Sequence, residues 1–264
     1  MANSPTVTSL PITALGASHA PNETHCLDVR DLHVHYGNIC ALAEVTFSIG
    51  CGHCVGLLGQ NGAGKSTLMK CIAGLISPVK GTIRWRGQAV PLVRREIAYL
   101  PQTNDEDTLF PLTVQGLVEM GRYPHLGNLK AWRPHDSEIV ETAIQTLQLD
   151  PLRHRRLYQL SGGQRQRAHI ARALAQEAHI FLFDEPFAGL DEPSQRMLAS
   201  VLHDLAANGR LLLVCHHDLK AVPELFDTVL MLNRKLVRFG PVAETFTPDA
   251  LHEVFDQAPE DVHV

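Results

Sequence analysis

The sequence contains a glycine-rich loop, residues 59–66, that ends in lysine and serine. Glycines allow positive φ angles and turn successive backbone N–H groups toward one point, which forms a nest for an anion. The lysine of such a loop reaches the β- and γ-phosphates of a nucleotide, and the next hydroxyl is placed to ligand Mg²⁺. We therefore predict that the chain binds ATP or GTP. The residues predicted to contact the nucleotide are Gly59, Gln60, Asn61, Gly62, Ala63, Gly64, Lys65, Ser66 and Thr67.

A second candidate site is the pair of acids Asp184 and Glu185, which directly follows four apolar residues. The apolar run predicts a buried strand, so both carboxylates lie at its carboxyl end, where α/β folds bind ligands. Asp184 is placed to hold Mg²⁺ through water, and Glu185 is placed to act as general base on an attacking water. Adjacent acids after a strand also occur as solvated turns. The phosphate loop elsewhere in the chain favours the catalytic interpretation.

A third segment, residues 160–167, has the pattern of a helix start with two exposed glycines. Ser161 is the predicted N-cap, and Gln164 three residues later completes a capping box. The cap does not account for Gly162 and Gly163, which leave backbone N–H groups open to an anion. A second anion site is therefore indicated. One nucleotide cannot easily contact this segment and the phosphate loop within a single chain.

The elements that position these residues follow from hydrophobic periodicity. Residues 54–58 and 67–73 predict the strand and helix on either side of the phosphate loop, an arrangement that points the positive end of the helix dipole at the phosphates. Helices are predicted at 161–175 and 194–207, with buried strands at 180–183 and 210–215 between and after them. A hairpin is predicted at 228–239, with a helical segment from Pro248 onward. Alternating strands and helices after a phosphate loop predict a mostly parallel sheet.

The rest of the chain predicts two further units. Residues 27–35, 45–49 and 82–86 alternate apolar with polar residues and, with the strand that enters the phosphate loop, suggest a small antiparallel β-subdomain that leads into an α/β core. Residues 97–100 predict a further short strand. From about 103 to 160 the pattern becomes helical, roughly at 113–120 and 136–149, with loops at Pro124, Gly127 and Pro134. This stretch is the predicted inserted helical subdomain.

The phosphate loop, the Leu-Ser-Gly-Gly-Gln segment and the Asp-Glu pair occur in the order and approximate spacing of the ATP-binding cassette (ABC) ATPases. The chain resembles this family from Cys26 to Phe255. The resemblance implies a P-loop NTPase core with the β-subdomain and the helical subdomain, over residues 26–257, between a disordered tail at 1–25 and a short tail at 258–264. In this family two subunits pair head to tail. Ser161 to Gln164 of one chain then close over ATP and Mg²⁺ held by the phosphate loop of the other, so a homodimer is implied.

The resemblance also implies roles for residues outside the three segments. Tyr36 resembles the aromatic residue that stacks on adenine. Gln102 resembles the glutamine that senses Mg²⁺ and the attacking water. Asp191 resembles the aspartate of the loop that crosses the dimer, although Gly189 stands where alanine is commoner.

The switch histidine of the family matches His217 in His216-His217-Asp218-Leu219, which leaves His216 without a catalytic role. The implied catalytic residues are Glu185, His217 and Gln102. The implied Mg²⁺ ligands are Ser66, Gln102 and Asp184.

A finer likeness concerns the cargo. Residues 121–127, 214–219, 232–235 and 239–242 resemble the ATPases of bacterial manganese, zinc and iron or iron-chelate importers. The resemblance implies that ATP hydrolysis drives metal uptake through a separate permease, with an extracytoplasmic binding protein selecting the metal. Residues 120–125 match the region that receives the coupling helix of the permease. The chain is then a peripheral subunit on the cytoplasmic face of the inner membrane.

Composition limits the alternatives. No run approaches the roughly 20 apolar residues of a spanning helix, so we expect a membrane role to depend on a partner. A net charge of −5 with 19% charged residues argues against a nucleic-acid partner. An exporter, an importer of another solute and a soluble ABC ATPase without a permease would share the same catalytic motifs.

Two further patterns contain cysteine or histidine residues close enough in sequence to suggest a metal site. Cys51-Gly52-His53-Cys54 lacks a second cysteine pair at zinc spacing, so a turn is favoured over a metal or redox site. His33 and His35 on one strand are a weak metal candidate.

Overall fold

The computed structural model describes residues 27–102, 111–126 and 131–255. These residues form two sheets. The four-stranded sheet has the order β2-β1-β4-β5, with β1 (Leu27–Tyr36), β2 (Ile39–Ile49), β4 (Lys80–Trp85) and β5 (Gln88–Ala89). The six-stranded sheet has the order β10-β9-β3-β8-β7-β6, with β3 (Cys54–Leu58), β6 (Ile97–Leu100), β7 (Ile180–Asp184), β8 (Leu211–Cys215), β9 (Thr228–Asn233) and β10 (Lys235–Pro241). The predicted tails at 1–25 and 258–264 lie outside the described residues. The α/β class, the antiparallel β-subdomain and the mostly parallel core sheet are confirmed.

The antiparallel sheet is built from strands that alternate buried and exposed residues. In β1 the buried positions include Leu27, Val29, Leu32 and Val34, which face the core of this subdomain. The strand that enters the phosphate loop does not belong to this sheet, because it is buried along its whole length and pairs in parallel with other strands.

The six-stranded sheet positions the candidate site. Strands β9, β3, β8, β7 and β6 run parallel, and β10 pairs antiparallel with β9. Strands β3, β7 and β8 are buried at every position, which is why they read as continuous apolar runs in the sequence. The carboxyl ends of the parallel strands share one edge.

The helices of the core mostly follow the predicted positions. α1 (Lys65–Ile72) begins directly after Gly64, and α6 (Glu192–Ala207) begins after its N-cap Asp191, so both start two residues earlier than predicted. The predicted C-terminal helix is α9 (Pro248–Phe255). Two four-residue helices were not predicted because they are too short to show a period, namely α7 (Val222–Leu225) and α8 (Val242–Thr245).

The helical subdomain contains α2 (Val114–Glu119), α3 (Tyr123–Leu126) and α4 (Pro134–Thr146). The next helix, α5 (Gly162–Ala175), begins after the predicted end of the subdomain and packs against α2 and α4. The prediction that Pro124 and Pro134 lie in loops was wrong. Pro134 is the first residue of α4 and Pro124 lies in the first turn of α3, where a missing N–H breaks no helical hydrogen bond. Gly127 lies outside the described residues. None of the described helices is long and apolar enough to cross a bilayer.

Candidate nucleotide site

The parallel sheet gathers most of the predicted site residues at one edge. The phosphate loop follows β3, Asp184 ends β7, and Gln102 and His217 each lie two residues beyond the ends of β6 and β8. Because these four strands are parallel, their carboxyl ends lie side by side, as in other α/β ligand sites.

The phosphate loop depends on glycines for its backbone path. Gly64 has a φ of 95°, and a Cβ atom there would lie 2.7 Å from the Ala41 carbonyl oxygen. Gly59 has a φ of 152°, and a Cβ atom there would collide with the Leu232 carbonyl oxygen. The loop therefore lies directly against β2 and β9, with no space for side chains at these two positions.

Lys65 and Ser66 project into the loop from the first turn of α1. Lys65 Nζ donates hydrogen bonds to the carbonyl oxygens of Gly59 at 2.7 Å and Gln60 at 2.9 Å. This places the ammonium charge inside the loop, beside the N-terminus of α1, where the helix dipole also favours an anion. The loop therefore combines a positive charge with the backbone path of an anion nest.

Ser66 Oγ donates a hydrogen bond to Asp184 Oδ2 at 2.7 Å, and the Asp184 side chain is buried. A hydroxyl and a carboxylate oxygen this close are the hard oxygen ligands that Mg²⁺ prefers when water and phosphate oxygens supply the rest of its shell. These two residues therefore fit Mg²⁺. In the sequence they stand 118 positions apart.

Glu185 is the residue on which the neighbouring polar groups converge. Gln102 Nε2 donates to Glu185 Oε2 at 3.1 Å, and His217 Nδ1 lies 3.9 Å from the same oxygen. Glu185 has a φ of 54°, in the left-handed region that non-glycine residues seldom adopt. Such backbone strain persists only where surrounding structure holds it, and it is concentrated at functional sites.

The interior behind Asp184 keeps two other groups uncharged. Burial raises the pKa of Cys215 well above its usual value, and the Asp184 charge raises it further. Burial likewise raises the pKa of Tyr99, with Asp184 again adding to the shift. Neither group is therefore available as a thiolate or phenolate near neutral pH.

The predicted capping box is present at the start of α5. Ser161 Oγ accepts from the Gln164 N–H at 3.3 Å, and Gln164 Oε1 accepts from the Ser161 N–H at 3.1 Å. Ser161 and Gly162 are exposed. The first turn of α5 thus presents open N–H groups at the surface.

This turn packs against the loop that runs from Glu185 to Asp191. A Cβ atom at Gly163 would lie 2.9 Å from the Gly189 carbonyl oxygen, and Gln166 Nε2 donates to the Pro186 carbonyl oxygen at 3.2 Å. Asp191 caps α6 by accepting from the Ser194 N–H at 3.2 Å, and hydrogen bonds from Ser194 lower the pKa of this carboxyl. The turn at residues 161–164, called the signature turn below, and the loop from Glu185 to Asp191 therefore form one continuous surface.

Tyr36 stands at the tip of the β1–β2 hairpin with about half of its surface exposed. The hairpin is joined to the phosphate loop through Arg234: the Ala43 N–H donates to the Arg234 carbonyl oxygen, and the Arg234 N–H donates to the Ala63 carbonyl oxygen, both at 2.9 Å. The exposed Tyr36 ring, on the hairpin that is tied to the phosphate loop, is suited to stack on a base.

Sequence reasoning missed several contacts that hold the site. Gln166 supports the Glu185 turn, and the Gln60 side chain donates to the Phe255 carbonyl oxygen at the end of α9. Arg122 is buried and joins Asp136 on α4 to Glu177 after α5, at 2.9 and 2.6 Å. Their partners are distant in sequence, and no local pattern identifies them; for Arg122 the only signal was the family likeness of residues 121–127.

The weaker metal candidates do not form a site. Cys54 is a free, buried thiol whose pKa is raised by burial, and Gly52 has a φ of 80° in the bend before β3, which agrees with the predicted turn. His33 Nε2 pairs with Asp31 at 2.8 Å. Across the described residues no group of three or more His, Cys, Asp or Glu side chains is arranged to hold a metal.

Comparisons with known proteins agree with this geometry. A sequence model of the ABC transporter family matches residues 42–188. The chain is 43% identical to the manganese transport system ATP-binding protein MntB of Halalkalibacterium halodurans, over 86% of this chain and 90% of that protein. It is 36% identical to MntB of Bacillus subtilis, over 87% and 92%. It is 39% identical to the chelated iron transport system membrane protein YfeB of Yersinia pestis, over 87% and 78%.

Solved structures give the same result for the fold. A metal-chelate-type ABC transporter in an inward-facing conformation aligns with a TM-score of 0.76 and 31% identity, over 88% of both chains. The ADP-bound conformation of an ATP-binding cassette aligns with a TM-score of 0.74 over 86% of this chain and 97% of that one, and its 22% identity supports the fold alone.

Proposed function

The chain belongs to the ABC transporter family of transport-coupled ATPases, and on that premise we propose that it hydrolyses ATP in a head-to-tail homodimer to drive metal uptake through a separate permease. The arrangement that carries the hydrolytic part is the convergence of Gln102 and His217 on Glu185, beside the Ser66–Asp184 pair. The metal cargo, which is manganese, zinc or iron in free or chelated form, rests on the likeness to manganese and chelated-iron transport proteins over nearly the whole chain.

The residues of the site have distinct roles in the transfer of the γ-phosphoryl group to water. The loop N–H groups and Lys65 bind the β- and γ-phosphates, and Ser66 and Asp184 would hold Mg²⁺. Mg²⁺, when bound, offsets charge on the phosphate oxygens. Glu185 accepts a proton from the attacking water, whose position is set by Gln102. His217, with an exposed side chain, is placed to contact the γ-phosphate.

The signature turn completes the site of a second subunit. Its open N–H groups at the start of α5 attract an anion, and its neighbour Asp191 extends the same surface toward a partner. In the head-to-tail dimer, Ser161 to Gln164 of one subunit cover the nucleotide bound by the phosphate loop of the other. ATP then joins the two subunits, and its hydrolysis releases them, which gives a two-state cycle.

The permease is proposed to dock beside the helical subdomain. A groove of about 180 Å³ there is lined by Tyr99, Met120, Gly121, Arg172, Ala173 and Gln176. Met120 in this lining and Tyr123 in the next turn are both large side chains left exposed. The groove reaches Tyr99 of β6, three residues before Gln102, so a permease segment bound here lies next to the strand that positions the glutamine. The docked subunit would lie on the cytoplasmic face of the membrane, with an extracytoplasmic binding protein delivering the metal to the permease.

A chromosomal deletion of the coding sequence tests the proposal, with complementation by the wild-type chain and by Glu185→Gln. Uptake of manganese, zinc and iron is measured with isotopes, alongside an unrelated solute such as an amino acid. We expect uptake of at least one metal to fall and to be restored by the wild-type chain but not by Glu185→Gln. Unchanged uptake of all three metals, with loss of uptake of the unrelated solute, would contradict the metal assignment.

A further inference from the structure

His216 precedes the proposed switch histidine and is buried, with 8% of its surface exposed. Its ring packs edge-on against two phenylalanine rings, with centroid distances of 5.2 Å to Phe187 and 5.9 Å to Phe226. The His217 ring lies 5.8 Å away on the open side. His216 Nε2 is buried and has no hydrogen-bond partner among the described residues. Ring contacts therefore set the position of this side chain.

The two phenylalanines belong to segments that matter for the site. Phe187 lies in the turn that carries Glu185, where the Ala188 N–H donates to the Glu185 carbonyl oxygen at 3.2 Å. Phe226 covers the centre of β3, the strand that leads to the phosphate loop. A Cβ atom at Gly56 would lie only 2.7 Å from the Phe226 ring, so a glycine is needed there to admit it. His216 thus lies between the Glu185 turn and the core sheet.

The Glu185 turn has two supports outside its own segment. Gln166 of α5 donates to the Pro186 carbonyl oxygen at 3.2 Å, and His216 packs against Phe187. Because Glu185 has a left-handed backbone conformation, its carboxylate position depends on such supports. Removing the His216 ring would leave the turn free to move toward the cleft of about 930 Å³ that His216 and Phe187 both line.

The ring of His216 is uncharged near neutral pH. Burial lowers its pKa, the neighbouring His217 lowers it further, and Asp218 opposes the shift. The other charged or titratable groups that line the same cleft are Glu192, Arg196, His203, Asp204 and Glu224. An uncharged ring can remain between two phenyl rings, and its shape determines how closely they approach.

We propose that His216 is a positioning residue whose ring, wedged between Phe187 and Phe226, fixes the Glu185 carboxylate relative to His217. The proposal rests on the proposed function, since it concerns the hydrolytic step. His216 itself touches no substrate. Its effect is on the geometry of the 3.9 Å approach between His217 and Glu185, and so on turnover and not on nucleotide affinity.

The test compares His216→Ala with His216→Phe in the full chain, measuring kcat and KM for Mg²⁺-ATP and the melting temperature. His216→Ala is expected to lower kcat by about tenfold to a hundredfold with KM within about twofold, because small displacements of reacting groups have effects of this size. His216→Phe keeps a flat ring and is expected to keep kcat within about threefold of wild type. Leu205→Ala, a buried position in α6, is the control for lost packing and should lower the melting temperature without changing kcat.

Wild-type kcat in both His216 variants would overturn the proposal and leave His216 as an ordinary core residue. A kcat as low in His216→Phe as in His216→Ala would also overturn it, since the ring shape would then not suffice. Should His216→Ala fail to fold, His216→Leu takes its place with the same expectation. Glu185→Gln is measured in parallel: retained hydrolysis there would contradict the proposed function, whatever the His216 variants show.

Discussion

The Gln102 side-chain amide donates a hydrogen bond to Glu185 Oε2 at 3.1 Å, which links the end of β6 to the end of β7. Gln102 precedes the helical subdomain in the chain, and α2 of that subdomain begins at Val114. The groove proposed for the permease, called the permease groove below, reaches Tyr99 on β6, the strand that leads to Gln102. On this proposal the docking site and the general base are connected through β6 and the Gln102 hydrogen bond.

Replacement of Glu185 by glutamine removes the base and keeps the side-chain shape and the Gln102 contact. We expect steady-state hydrolysis to fall by at least about a hundredfold, the usual contribution of a general base, with ATP affinity unchanged. Phosphate release and equilibrium binding of a fluorescent ATP analogue measure the two quantities. Turnover near the wild-type rate would contradict the assignment of the base.

Replacement of Lys65 by alanine should act on binding. Lys65 Nζ holds two carbonyl oxygens of the phosphate loop at 2.7 and 2.9 Å, so its loss removes a positive charge and two contacts that shape the loop. We expect the dissociation constant for ATP to rise by at least about tenfold, since hydrogen bonds to charged groups contribute about 1.5–3 kcal/mol. Lys80→Ala, an exposed lysine on β4, is the control and should bind ATP like the wild-type chain. Equal affinity in Lys65→Ala and wild type would refute this role.

The permease groove predicts a separation of docking from catalysis. Met120→Glu places a charge at an exposed apolar position of the groove without touching the nucleotide edge. Co-purification with the permease in detergent should be lost, while hydrolysis by the isolated subunit stays within about twofold of wild type, as expected for a surface substitution away from the site. Intact co-purification would place the permease elsewhere on the chain.

The pair His53–Asp227 predicts a pH-dependent contribution to stability on the opposite edge of the sheet, where the two side chains meet at 3.1 Å. The hydrogen bond to Asp227 raises the pKa of His53, so its contribution is complete below the unfolded value of about 6.5 and is lost as pH rises through the folded pKa. Burial raises the pKa of Asp227, but hydrogen bonds from His53 and from the Cys54 N–H outweigh it and the net shift is downward. Its contribution is lost only as pH falls below about 3.9.

His53→Gln should therefore lower the free energy of unfolding more at pH 6 than at pH 8.5. The difference is expected to be below about 1 kcal/mol, because both side chains are about half exposed. Urea denaturation at the two pH values measures it. A larger loss at pH 8.5 would contradict the direction of the His53 shift.

The parts of the site that could be predicted from the sequence are those whose residues are adjacent in the chain. The phosphate loop, the Asp184–Glu185 pair and the Ser161–Gln164 cap each combine residue types that have few other uses together. The strands that lead to the phosphate loop and to the acid pair, β3 and β7, are buried on both faces, so they appear in the sequence as unbroken apolar runs with clear ends.

The contacts that hold the site could not be predicted, because they join residues far apart in the chain. Gln166 donates a hydrogen bond to the Pro186 carbonyl oxygen, and the Gln60 side chain donates to the last residue of α9. Glutamine is common on protein surfaces, so the residue type does not identify these contacts. The left-handed backbone of Glu185 is a property of the folded turn and leaves no mark in residue type. The sequence predicts no role for His216 beside His217, because its packing against two phenylalanine rings is visible only in three dimensions.

We propose that residues 59–66 form only half of an ATP site and that the signature turn of a second subunit supplies the other half. The most direct test is the mass of Glu185→Gln by sedimentation, with and without Mg²⁺-ATP, in parallel with the double variant Glu185→Gln, Gly163→Val. Glu185→Gln should be monomeric without nucleotide and dimeric with it, and the double variant should bind ATP and remain monomeric, since a side chain at Gly163 would press on the Gly189 carbonyl. A Glu185→Gln chain that binds Mg²⁺-ATP and stays monomeric at high protein concentration would contradict the account.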